Sequence, residues 1–160
     1  MSRKIEIWRV TMVLASTSLR SRVSALPGDL SLDACWTLEQ QQGYIEAMLQ
    51  DRLTDTQVWS RKSGDDGLAR FCVVDGVRRL RAIWQFGDGK LPLSCTCGPI
   101  DGEVVAGLRY DELPEVVRAR FLAYEFAVFL FDVDDDVVEV FERINRVDGS
   151  LGTIESGNLR

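Results

Sequence analysis

Val73-Val74-Asp75-Gly76-Val77-Arg78-Arg79-Leu80-Arg81-Ala82 decides how this chain is read. A β-branched run breaks at Asp-Gly, and Val77, Leu80, Ile83 and Trp84 then recur at helical spacing until Gly87-Asp88-Gly89. The stretch predicts a strand that turns directly into a helix over 77–86. Arg78 and Arg79 fall in the first helical turn, where the helix dipole favours acids by roughly 0.3–1 kcal/mol each. An anion held there by free backbone N–H groups and the two guanidinium forks would remove the conflict. In that reading Gly76 lets the backbone approach a phosphate closely, and Asp75 holds a cation or orients water. Two solvated arginines beside a tight turn account for the same residues, and spacing alone leaves both readings open.

Upstream, Gln57–Arg61 and Arg70–Val74 read as two strands joined by Gly64-Asp65-Asp66-Gly67, a hairpin. Before them, Thr37 and Gln40 form a capping box for a helix running to about Arg52, with Leu38, Ile45, Met48, Leu49 and Leu53 on one face. Ile5–Val10 alternates as a strand, 13–19 is ambiguous, and Leu26-Pro27-Gly28-Asp29 marks a turn. Downstream, Leu91–Thr96 and Glu103–Leu108 suggest short strands about Gly98-Pro99. Pro114 opens a helix carrying Val117, Phe121 and Leu122. Tyr124–Phe131 reads as a buried strand. Asp134-Asp135-Asp136 stands at the start of a last helix with Val137, Val140, Phe141, Ile144 and Val147 inward. The expectation is a single domain over 1–160, mixed α/β or α+β, a small mixed sheet with flanking helices.

Composition narrows the chemistry. The 160 residues are 46% hydrophobic and 28% charged, ordinary for a globular chain. Nineteen basic and 25 acidic residues leave a net charge of −6, which argues against coating nucleic acid through the net field. Residues 1–24 nevertheless carry five basic residues against Glu6 alone, while residues 101–142 carry twelve acids against three arginines. There is no histidine. That excludes histidine-based acid–base and nucleophile chemistry and leaves no basis for a histidine-dependent nuclease in this chain. Cys35, Cys72, Cys95 and Cys97 are expected to be structural thiols, since one C-x-C is a poor zinc pattern. No apolar run approaches the roughly 20 residues of a membrane span, and Arg3 and Lys4 interrupt the amino end. A cytoplasmic protein is expected. Trp8, Trp59 and Trp84 read as core or interface residues.

The stretch Phe71–Leu80 resembles the "VVDGQQRL" motif of the ParB/sulfiredoxin-like domain that opens GmrSD-type modification-dependent restriction enzymes. Trp36–Leu49 resembles the family's "W…QqqlIeslL" helix, Phe141-Glu142-Arg143-Ile144-Asn145 its "FxRlN", and Leu151–Asn158 its "L(T/S)xxExRN". The order is right and the resemblance spans nearly the whole chain. Arg78-Arg79-Leu80-Arg81-Ala82 is also similar to the "GERRLRA" phosphate box of ParB nucleotide-binding proteins. The resemblance implies a ParB/sulfiredoxin-like fold that binds an NTP with Mg²⁺ and acts in phage–host conflict. By position it implies catalytic roles for Asp75 and Arg79, with Asp75 at the metal. Gly76, Arg78, Arg79, Arg143 and Asn145 would contact the nucleotide, and Glu155 and Asn158 match the last motif.

Departures from the motifs pull the other way. The family's two glutamines are Val77 and Arg78 here, its Gln-Arg pair before the tryptophan falls on Ser31 and Leu32, and its final arginine is Gly157. Losing polar groups around a phosphate weakens transition-state stabilisation more than capture, so binding is expected before turnover. The rival expectation is a non-catalytic module that binds and regulates a related nuclease or another protein of a defence or phage system, through exposed apolar residues such as Trp59. Direct DNA binding lacks a helix-turn-helix. Relatives carry further domains past the last motif, so the chain is expected to work alone, to be a fragment, or to act on a partner. Arg79→Ala is expected to weaken nucleotide binding and leave the fold nearly untouched.

Overall fold

The hairpin expected around residues 64–67 forms the middle of the molecule. The computed structural model describes residues 3–25 and 36–132. Strand β3 (Thr56–Ser63) runs antiparallel to β4 (Ala69–Asp75), with a bulge at Val58/Trp59. Gly64 N–H donates to Leu68 C=O at 2.8 Å to close the turn, and Gly67 takes a positive φ of 75°. Strand β1 (Arg3–Arg9) pairs antiparallel with β5 (Glu125–Asp132), and β5 lies parallel to β3. The short β2 (Val23–Ala25) adds parallel to β4. The described sheet is therefore mixed and five-stranded, in the order β1-β5-β3-β4-β2.

Helices α1 (Val10–Ala15), α2 (Thr17–Arg20), α3 (Leu38–Leu49), α4 (Val77–Gly87) and α5 (Glu115–Ala123) complete the described elements, with a 3₁₀ turn at Tyr110–Glu112. Trp8, Trp59, Val73, Phe126, Val128 and Leu130 lie on one sheet face, and Ile45, Met48, Leu80, Ile83, Phe86 and Phe121 from the helices pack into the same core. Edge-to-face rings knit it together, Trp8 on Trp59 at 5.0 Å and Phe86 on Phe121 at 4.9 Å. Trp59 is fully buried, so the expectation of an exposed Trp59 for a partner is overturned.

The capping box is present, with Thr37 Oγ1 accepting from Gln40 N–H at 3.2 Å and Gln40 Oε1 accepting from Thr37 N–H at 2.9 Å. The helix stops at Leu49 rather than Arg52 because Asp51 enters the left-handed region at φ 52°. Leu53 therefore lies beyond it, and Leu38 is exposed rather than inward. The ambiguous segment 13–19 is two short helices split at Ser16, whose Oγ accepts from Leu19 N–H at 3.0 Å and caps the second.

Residues 91–108 do not form the two expected strands. Asp101, Gly102 and Gly107 all take positive φ, and only the single bridge Ile100–Glu103 remains of a ladder. The segment is anchored by burial of Leu91, Leu93, Ile100 and Val105, and by Ser94 N–H donating to Glu46 at 2.7 Å. Cys95 is exposed and Cys97 buried, both with free thiols. Burial, aided by Glu46, pushes the Cys97 thiol up to about 11. The turn at Leu26–Asp29 and the helix expected after Asp134–Asp136 lie outside the described residues. Among the described residues, no helix is long and apolar enough to cross a membrane.

Candidate functional site

The junction of β4 and α4 requires Gly76 for two reasons. Its φ is 109°, a conformation side chains rarely adopt, and a Cβ there would lie 2.8 Å from Gln57 Cγ. Gln57 thus occupies the space left by the missing side chain. Helix α4 starts at once with Val77 and has no side-chain cap.

Arg79 points from that turn into a buried polar cluster. Its Nη1 donates to Asp55 Oδ1 at 2.5 Å and to Thr56 C=O at 2.8 Å, while Nη2 donates to Asp75 Oδ2 at 2.6 Å. Asp55, with a fully buried side chain, also accepts from the Tyr44 hydroxyl at 2.6 Å and from Gln57 Nε2 at 3.1 Å. Gln57 Oε1 accepts from Trp59 Nε1 at 3.0 Å. The buried polar atoms of Asp55, Gln57 and Trp59 are thereby partnered, as buried groups must be. Burial works against the charge on Arg79, but Asp55 and Asp75 outweigh it and hold the guanidinium protonated. Burial, with the Asp55 charge adding to it, drives the Tyr44 phenol far above its ordinary range. Arg79 is thus the counter-ion of a buried carboxylate, which corrects the expectation that the fold would hardly notice its loss.

Asp55, Tyr44 and Gln57 were not singled out from the sequence. A signal was present: Gln57 and Trp59 are two apart on one strand and share a face, so burying the tryptophan draws the amide in with it.

The other side of α4 is open. Arg78, Arg81 and Gln85, at i, i+3 and i+7, line a cavity of about 360 Å³ together with Lys90, Gln41 from α3 and Trp36. Arg78 is exposed and has no ion-pair partner among the described residues. Lys90 reaches Asp88 at 3.4 Å. Trp36 is half-buried, and its ring lies 5.4 Å from that of Tyr44, so one aromatic pair joins the cavity to the Asp55 cluster.

The candidate residues therefore divide. Asp75, Gly76 and Arg79 belong to the turn and its buried cluster, while Arg78 alone of the set lines the cavity. Arg143 and Asn145, like Ser31, Leu32, Glu155, Gly157 and Asn158, lie outside the described residues. Among the described residues no group of three or more His, Cys, Asp or Glu is placed to hold a metal ion.

No family model, no curated protein and no solved structure matches this chain.

Proposed function

We propose that this chain is a nucleotide- or phosphate-binding domain of the ParB/sulfiredoxin-like kind, acting in phage–host conflict, with the ligand's phosphate in the cavity between α3 and α4. The observation that carries the reading is the convergence of Arg78, Arg81 and Lys90 on one hollow beside the uncapped start of α4. Guanidinium forks match phosphate oxygens in pairs, and the helix dipole adds to the same attraction. Gln41 and Gln85 offer amide groups to a sugar or base, and Trp36 offers an apolar wall. Mg²⁺ would arrive with a triphosphate; Asp75, the carboxylate that the motif assigns to it, lies at the turn with Arg79 and does not line the cavity. Turnover is expected to be weak or absent, because one oxygen of Asp75 is held by Arg79.

A second reading is a non-catalytic module that binds and regulates a related nuclease or another nucleic-acid-processing protein. It is favoured by the engagement of Arg79 with two carboxylates, which leaves the motif's arginine in a structural part. Calorimetric titration with the four NTPs, with and without Mg²⁺, separates the two. The ligand reading expects binding that Arg78→Ala weakens by about 1.5–3 kcal/mol, the range for a hydrogen bond to a charged group, with an unchanged melting temperature. Absence of binding to wild type would favour the regulator.

A further inference from the structure

The amino-terminal strand presents a surface that the ligand reading does not use. Strand β1 is the first strand of the described sheet, and no described strand pairs with its outer edge. On the face away from the helices, Ile5 is 67% exposed and Ile7 59%. Ile5 lies beside Phe129, itself 36% exposed, and Ile7 beside Ala127. Elsewhere on that face Ser60, Val74 and Phe131 are buried. Among the described residues of that face, the open apolar surface gathers at β1 and its neighbour β5, and an unpaired edge strand is a template for another strand.

We propose that two copies of this chain pair through β1, antiparallel and two-fold about Ile5, joining their sheets into one. The charges along Arg3-Lys4-Ile5-Glu6-Ile7-Trp8-Arg9 select that register. In-phase antiparallel self-pairing puts the two-fold axis through a single residue and keeps each sheet face continuous. Centred on Lys4, it sets Lys4 against its own copy. Centred on Glu6, it sets Glu6 against its own copy and Arg3 against Arg9. Centred on Ile7, it leaves no opposite charges facing. Centred on Ile5, it places Lys4 opposite Glu6 twice, stacks Ile5 on Ile5, and lays the stem of Arg3 along Ile7. Lys4 and Glu6 already form an ion pair within the strand. Dimerisation exchanges that pair for two across the junction. Phe129 and Ile5 of each copy then form one apolar strip across the two-fold axis, closing the surface left open in the monomer.

Sedimentation velocity on the full chain across a range of concentrations tests this. A concentration-dependent dimer is expected. Ile5→Lys, which sets two cations face to face at the axis, should weaken dimerisation by at least about tenfold. Lys4→Glu should weaken it as well, and Lys4→Glu combined with Glu6→Lys should restore it, with far-UV circular dichroism unchanged throughout. Crosslinking provides an independent measurement. In a Cys95→Ser background, Ile5→Cys should oxidise rapidly to a covalent dimer, because residues directly opposite have Cβ atoms about 4.5–5.5 Å apart. Lys4→Cys, displaced from its own copy, should not. A monomer at every concentration would overturn the proposal. So would a dimer indifferent to Ile5→Lys and to the charge swap, or equal crosslinking at positions 4 and 5.

Discussion

Arg78 and Arg79 are neighbours in sequence and about 100° apart around one helix, and they meet opposite surroundings. Arg79 turns towards the sheet and is bound by Asp55 and Asp75, with Tyr44 and Gln57 completing the shell around Asp55. Arg78 turns away and lines an open cavity with Arg81 and Lys90. A basic dipeptide after Asp-Gly is therefore two devices. One holds a buried carboxylate and fixes the turn; the other is available to something outside the fold. The anchored side orients the open side, because Tyr44 packs on Trp36 and Arg79 pins the first turn of the helix that carries Arg78.

The hardest test of this contrast is Arg79→Ala. It leaves Asp55 charged and buried without its counter-ion, a change expected to cost about 3–5 kcal/mol in chemical denaturation. Arg78→Ala, in the same experiment, should stay within about 0.5 kcal/mol of wild type, as for an exposed position. Equal costs at the two positions would break the distinction. Gly76→Ala sharpens it with a smaller effect, since it forces φ 109° on a residue with a Cβ and presses that Cβ on Gln57. Destabilisation of roughly 1–3 kcal/mol is expected. Any loss of ligand affinity should follow the displaced turn rather than a lost contact. The smallest effect is at alkaline pH. The Tyr44 phenol is raised in the fold, so the unfolded chain ionises first as pH climbs past about 10. Stability is therefore full below that value and declines above it. Tyr44→Phe should flatten that part of a melting-temperature profile.

The parts of the fold legible in the sequence were those written in local chemistry. Thr37 and Gln40 announced α3, the Gly64–Gly67 turn announced the hairpin, Pro114 stood just ahead of α5, and Asp75-Gly76 marked the step from strand to helix. Residues 91–108 misled because their apolar side chains are buried one at a time between positive-φ turns, which imitates short strands in a pattern of hydropathy. The site was half legible. The arginine pair was visible, but the partner that separates Arg79 from Arg78 is Asp55, 24 residues earlier, and an acidic residue just ahead of a strand reads as solvent-facing until the chain is folded. Leu38 misled similarly. It sits at the right spacing for the inner face, but at the first position of its helix, where it is exposed.

The strand order also sets a timetable for synthesis. The hairpin of β3 and β4 can close as soon as its own short loop exists, but among the described strands β1 pairs only with β5, more than a hundred residues further along. Contacts that distant bear the entropy of closing a long loop before they return any stability, and they slow folding. A growing chain therefore carries Ile5 and Ile7 without their strand neighbour until residues 125–132 leave the ribosome. Throughout that interval Lys4 and Glu6, charged and flanking Ile5, interrupt the apolar run that the waiting strand would otherwise offer.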